Sequence, residues 1–242
     1  MKKRMRVFAG PNGSGKSTLV GILSKNRISL GVYCNADEYK LNINKSHYFD
    51  FADMGLTPSW DYFIKSFHES TLYNLADGEN LLGHIDFLNG KLLFDEHYQV
   101  NDYFTSFLSS FVRENLLGKS EKFTFETVMS HPSKLSFMEK AHDCGYKVYL
   151  YFVALANYEM NIARVKSRVQ AGGHDVPEEK VKSRYEKCMD LLFPAISIAD
   201  ESYIFDNSGE HTYLIAEVKK SEMKVLVDEV PMWFNDYVLK KI

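Results

Sequence analysis

Short apolar runs separated by amphipathic stretches alternate along most of this chain. Val7-Phe8-Ala9, Gly31–Asp37, Lys122–Val128, Lys147–Leu155 and Ser202–Asp206 are rich in β-branched and aromatic residues and predict strands. The fourth, Lys147-Val-Tyr-Leu-Tyr-Phe-Val-Ala-Leu155, is apolar nearly throughout, as a strand covered on both faces of a parallel sheet should be. Helical spacing predicts helices over Lys16–Lys25, Pro132–Asp143, Tyr158–Ala171 and Pro177–Ile198, with Gly145 and Gly172-Gly173 as stops after the second and third. Pro132 and Pro177 suit first-turn positions, and Glu178-Glu179 suit the positive end of the last helix. After His211 the pattern predicts one or two edge strands, then a short amphipathic helix around Trp233, Phe234, Tyr237 and Val238. This alternation predicts an α/β domain with a doubly wound, mostly parallel sheet of about five or six strands, whose ligands lie at the carboxyl ends of the strands. Residues 42–120 break the rhythm, being rich in Phe, Tyr, Leu, Asp and Asn, with helical stretches around Trp60–Leu75 and Tyr103–Leu117. So long a segment between two strands predicts a helical insertion, not a loop: a cover for a ligand site or a packing subdomain.

One segment carries specific chemistry. After the first strand, Gly10-Pro11-Asn12-Gly13-Ser14-Gly15-Lys16-Ser17-Thr18 fills G-x-x-x-x-G-K-[ST] at every position, and Leu19, Val20, Ile22 and Leu23 continue at helical spacing. Strand, glycine-rich loop and helix form the context of a phosphate-binding loop. The glycines let backbone N–H groups turn inward around an anion, and the helix N-terminus adds its dipole. Lys16 is placed to reach the β- and γ-phosphates and the Ser17 hydroxyl to ligate Mg²⁺, so the expected ligands are ATP and magnesium.

Composition narrows the class. Of 242 residues 45% are hydrophobic and 25% charged, and 29 Lys+Arg against 32 Asp+Glu leave a net charge of −3. That balance argues against a nucleic-acid partner. Cys34, Cys144 and Cys188 lie far apart without CxxC spacing, which argues against zinc and disulfides and fits a reducing compartment. The basic start is followed by three apolar residues only, too few for a signal-peptide core, and no run approaches the ~20 apolar residues of a membrane helix. The expectation is a cytoplasmic protein with no membrane contact. Asn44-Lys-Ser-His47 lacks the aspartate of a guanine-reading N-K-x-D, and no LSGGQ-like signature is present. Leu92-Leu-Phe-Asp95-Glu96, Val225-Leu-Val-Asp228-Glu229 and Ile204-Phe-Asp206 each resemble a strand ending in a magnesium carboxylate; the first two read as solvated strand ends.

The remaining polar groups suit phosphoryl transfer. Asp37 and Glu38 follow the second strand, where a carboxylate can accept the proton of an attacking hydroxyl. Glu126 and Thr127 end the third. Arg164 and Arg168 share one helix face and can clamp a transferring phosphoryl group. They precede Gly172-Gly-His174-Asp-Val-Pro177, a turn between two helices, as a mobile lid over 157–199 requires; Arg184 offers a further donor, and His174 reads equally as lid contact or turn residue. Trp60 and Trp233 read as core. Two rivals stay open: an ATPase that couples hydrolysis to movement through Asp95-Glu96 or Asp228-Glu229, and a nucleotide-sensing module whose aromatic insertion binds a protein.

Ala9–Thr18, Asn35-Ala-Asp-Glu38, Phe125-Glu-Thr127, Gly145-Tyr146, the run from Arg164 through Arg168 to Glu179, Arg184-Tyr185 and Asp206-Asn-Ser-Gly209 occur in this order. The set resembles the zeta-toxin-like P-loop kinases, particularly the bacterial branch labelled predicted ABC-type ATPase. The resemblance implies a single P-loop kinase domain over 1–242 and transfer of the ATP γ-phosphate to an acceptor hydroxyl, in zeta toxins that of a UDP-N-acetylamino sugar. It implies Asp37 as base, Glu126 (with Thr127) as acceptor contact, Arg164 and Arg168 as phosphate-neutralising lid arginines, and a protein antitoxin as candidate partner. The sequence departs from this branch at Val128, where a second threonine is usual, and in residues 42–120, which match no known motif.

Overall fold

The computed structural model describes residues 3–26, 28–173, 175–219 and 222–242. In chain order the elements are β1 (Arg4–Ala9), α1 (Lys16–Lys25), β2 (Val32–Cys34), α2 (Ala36–Ser46), β3 (Tyr48–Asp50), α3 (Trp60–His68), α4 (Gly78–Leu82), β4 (Ile85–Leu88), β5 (Lys91–Phe94) and α5 (Asp102–Leu116). They continue as β6 (Lys122–Thr127), α6 (Ser133–Asp143), β7 (Lys147–Ala154), α7 (Tyr158–Gln170), α8 (Glu178–Asp190), α9 (Leu192–Ile198), β8 (Glu201–Asp206), β9 (Tyr213–Lys219), β10 (Glu222–Val225) and α10 (Met232–Tyr237). Seven strands form one sheet in the order β10-β9-β8-β7-β1-β6-β2, so the expected α/β sheet is present with one or two more strands than the pattern counted. β7 pairs parallel with both β1 and β8, whereas β8–β9 and β9–β10 are antiparallel.

The chain divides into two compact units, residues 1–31 with 124–242, and residues 32–123. In the first, β1 is buried from Met5 to Ala9 and β7 from Leu150 to Ala154. That double burial explains the apolar runs Val7–Ala9 and Leu150–Ala154. α6 and α9 pack on β7 and on each other, and α1 packs on β1. The helix expected over Pro177–Ile198 is two helices, broken at Leu191. Pro194 is the reason: it has no N–H to donate to Asp190, and its ring crowds that carbonyl. α7 and α8 pack through Val165, Val176 and Val181, flanked by Ile162 and Val169.

The second unit is not wholly helical. Besides α2, α3, α4 and α5 it holds a three-stranded antiparallel sheet, β3-β5-β4. Asn89 and Gly90 turn β4 into β5, both with positive φ (53° and 79°), as a two-residue hairpin turn requires. Its core is aromatic: Phe51, Phe63, Phe67 and Phe104 are fully buried, and Phe63 meets Phe67, Phe107 and Phe111 at ring distances of 5.2–6.4 Å. The expected helices at Trp60–Leu75 and Tyr103–Leu117 appear as α3, which stops at His68, and α5.

Candidate functional site

β1 delivers the glycine-rich segment to the carboxyl edge of the sheet, and Lys16 opens α1. Gly10, Gly13 and Gly15 have φ of 147°, 75° and 100°, which side-chain-bearing residues rarely adopt. The loop is also tightly enclosed. A Cβ on Gly10 would lie 2.1 Å from the Val153 carbonyl oxygen, one on Gly13 2.9 Å from the Asn161 carbonyl oxygen, and one on Gly15 2.4 Å from Nδ2 of Asn207. Three other segments therefore fix its outside: the end of β7, α7, and the turn after β8.

Side chains complete that enclosure. Asn161 Nδ2 donates to the Asn12 carbonyl at 2.6 Å, and Asn207 Nδ2 donates to the Ser14 carbonyl at 2.8 Å. Lys16, 7% exposed, folds back so that Nζ donates to the Pro11 carbonyl at 2.9 Å. An ammonium that donates to a neutral carbonyl is available to an anion that displaces it. Pro11, buried, and Thr18, exposed, complete the loop.

The Ser17 hydroxyl lies 3.0 Å from both Oε1 and Oε2 of Glu126, at the end of β6. β6 is the neighbour of β1 in the sheet, so a carboxylate at its carboxyl end stands beside the mouth of the loop. A serine hydroxyl and a carboxylate are hard oxygen donors, suited to Mg²⁺, which is commonly held by one or two protein oxygens together with phosphates and water. Among the described residues no three His, Cys, Asp or Glu side chains gather into a metal site. The chemistry of Ser17 and Glu126 thus fits a magnesium ion.

The other expected residues divide between the units. Thr127 Oγ1 accepts from the Met129 N–H at 3.1 Å and so braces the turn after β6. Arg164 donates to the Asn207 carbonyl at 2.6 Å, while Arg168 lies exposed near the end of α7, its carbonyl taking the Gly173 N–H at 2.9 Å. The two arginines share a helix face but have separate surroundings. Arg184 is half-buried on α8, beside Tyr185, whose hydroxyl donates to the Leu155 carbonyl at 3.1 Å. His174 lies outside the described residues. Asp37 belongs to the second unit, in the first turn of α2, where the Asn35 side chain accepts its N–H at 2.9 Å.

Burial pushes the Cys188 thiol up to about 12, against the opposing charge of Lys16, and the Cys34 thiol up to about 11. Neither is a nucleophile at neutral pH. Asp206 is 2% exposed and fully engaged: Oδ1 accepts the Ser208 N–H at 2.8 Å, and Oδ2 accepts the Ser208 hydroxyl at 3.0 Å and the Trp233 indole at 2.7 Å. Asp95 lies 2.7 Å from His84 Nδ1 in the second unit. Asp228 follows the end of β10 at Val225. Sequence reasoning missed Asn161, Asn207 and Trp233 as groups around the loop. Asn161 left one signal: a short amide on the buried stripe Tyr158-Asn161-Val165 of a helix, where such residues are unfavourable.

No family model matches the chain. A protein of Haemophilus influenzae, described as an uncharacterized protein, is 38% identical over 185 residues, which make up 76% of this chain and 94% of that one. Among solved structures, a chain of the AvrRxo1-ORF1:AvrRxo1-ORF2 complex with sulphate ions superposes with a TM-score of 0.57 and 15% identity, over 93% of this chain and 61% of that one. A chain of the complex solved with ATP gives 0.54 and 15%, over 93% and 60%. The likeness to these structures is one of fold, and the present chain spans about three-fifths of their length. No helix among the described residues is long and apolar enough to cross a membrane.

Proposed function

We propose, from the enclosed glycine loop, that this chain, which belongs to one family with the Haemophilus influenzae protein, is an ATP- and Mg²⁺-dependent kinase that transfers the γ-phosphate to a hydroxyl of a small molecule. The carrying observation is the pairing of Ser17 with both carboxylate oxygens of Glu126 at the mouth of the loop. The ATP present in a structure of the same fold supports the choice of nucleotide. The ordered motifs shared with zeta-toxin-like kinases support transfer to an acceptor over simple hydrolysis, and a UDP-N-acetylamino sugar as its class.

In this reading the loop amides and Lys16 bind the triphosphate, Lys16 leaving the Pro11 carbonyl to do so. A magnesium ion bound with ATP would neutralise phosphate charge as it builds up on transfer. Ser17 and Glu126 would hold it, a place for Glu126 beside the acceptor role that the resemblance gives it. Arg164, anchored on the Asn207 carbonyl, and Arg168 close over the γ-phosphate, Arg184 supplies a further donor, and residues 206–209 border the nucleoside. Asp37 takes the proton of the acceptor hydroxyl as that oxygen bonds to Pγ; the bond from Pγ to the β–γ bridging oxygen breaks, and ADP leaves. The zeta-like relationship makes a protein antitoxin the candidate macromolecular partner.

The test is transfer of labelled γ-phosphate from ATP and Mg²⁺ to UDP-sugars, nucleosides and metabolite extract. Asp37→Asn should keep ATP affinity within about twofold and lower transfer by about 10³-fold. Transfer retained in that variant would remove Asp37 as base. Phosphate release without any labelled acceptor, abolished by Asp228→Asn, would favour the ATPase instead.

A further inference from the structure

The turn after β8 has more contacts with the phosphate loop than a loop rim needs. Its central residue, Asn207, joins three segments: Nδ2 donates to the Ser14 carbonyl at 2.8 Å, Oδ1 accepts the Thr212 hydroxyl at 2.6 Å, and its own carbonyl accepts Arg164 at 2.6 Å. The amide takes the space that a side chain at position 15 would need, since a Cβ on Gly15 would lie 2.4 Å from Nδ2. Asn207 is held in turn by the residues on either side of it. Asp206 closes the turn by accepting both N–H and hydroxyl of Ser208, and that hydroxyl also accepts the Ala156 N–H at 2.8 Å.

Asp206 is a buried carboxylate, and such a group keeps its place only while donors surround it. Two of the bonds that it accepts come from Ser208. Another comes from the indole N–H of Trp233 on α10, at 2.7 Å, with Trp233 itself 3% exposed. The indole is a donor only and has one hydrogen to give. Without it the carboxylate loses the donor that ties it to α10 and turns toward those that remain, Ser208 and the neighbouring Tyr213 hydroxyl. The Asp206–Ser208 turn follows, and the Asn207 amide leaves Ser14.

We infer that Trp233 is a positioning residue for nucleotide binding: through Asp206 and Asn207, α10 near the end of this chain sets the Ser14–Gly15 backbone and the guanidinium of Arg164. Nothing in the motif itself requires a residue so far along the chain, and the ring would serve as core without its N–H. The inference rests on the reading of the loop as a nucleotide site, which is therefore tested alongside it.

Titration calorimetry on the full chain, with Mg²⁺·ATP and separately with inorganic tripolyphosphate, compares the unaltered protein with Trp233→Phe and Thr212→Val; melting curves are taken on the same samples. Trp233→Phe keeps the aromatic ring and removes the donor. It should raise Kd for both ligands about tenfold. Thr212→Val, which removes the hydroxyl on Asn207 Oδ1, should raise both by a smaller factor. An unchanged Kd in a cooperatively melting Trp233→Phe protein would overturn the inference, and so would a rise for ATP without one for tripolyphosphate. Should Trp233→Phe fail to fold, unchanged affinities in Thr212→Val would overturn it. If the unaltered protein binds neither ligand, the nucleotide reading falls, and this inference falls with it.

Discussion

Ser17 and Glu126 are far apart in the chain, yet the hydroxyl is shared by both oxygens of the carboxylate. If that pair faces magnesium, Glu126→Gln should leave ATP binding in EDTA within about twofold and erase most of the roughly tenfold tightening that Mg²⁺ brings. Calorimetry with and without Mg²⁺ checks this, and full tightening in the variant would take Glu126 away from the metal. At this scale the sequence was legible where the constraint is local. Lys16 and Ser17 are marked by neighbours within the same loop. Asn161 and Asn207 are not, since their partners Asn12 and Ser14 lie 149 and 193 positions away. No spacing rule reaches that far, and Trp233 reads as core because its ring is core; only its N–H has another task.

Among the elements, the loop between β1 and α1 is the one whose backbone admits fewest residues. Gly10→Ala would combine a φ of 147° with a Cβ 2.1 Å from a backbone oxygen. It should destabilise the protein by about 2–4 kcal/mol. Gly21→Ala in α1, where a Cβ meets nothing within 4 Å, should stabilise by about 0.5–1 kcal/mol. Urea denaturation of the two variants decides the matter, and equal midpoints would contradict it. Helix and strand positions in the first unit follow the periodicity because each element is buried on the face the pattern marks. The second unit was misread where aromatic composition outweighed a local signal. Ile85-Asp-Phe-Leu-Asn-Gly-Lys-Leu-Leu-Phe94 carries the Asn-Gly pair of a hairpin between two apolar runs. Pro194 was likewise readable as a helix break, though an apolar stripe running past it hides the break.

For the molecule as a whole, acid stability should carry the mark of Glu201. Burial alone would raise this carboxyl, but hydrogen bonds from Lys147 and Tyr203 outweigh that and hold it below its ordinary 4.5. A folded value below the unfolded one contributes stability that is present above about pH 4.5 and lost as pH falls through the folded value. Glu201→Gln should therefore lower Tm by about 2 °C at pH 7, with the gap closing as pH falls below about 4.5. Thermal melts across that range check it; a gap as wide at pH 3 as at pH 7 would exclude Glu201 as its source. The division of the chain has a consequence in time. Residues 32–123 are contiguous and can collapse as soon as they leave the ribosome, whereas the other unit is assembled from residues 1–31 and 124–242. β1 pairs with β7, and the loop it carries leans on Val153, Asn161 and Asn207. At synthesis rates of about 5–20 residues per second those partners arrive on the order of ten seconds later. Until then an apolar strand and a bare glycine loop wait in the open, a natural client for a chaperone.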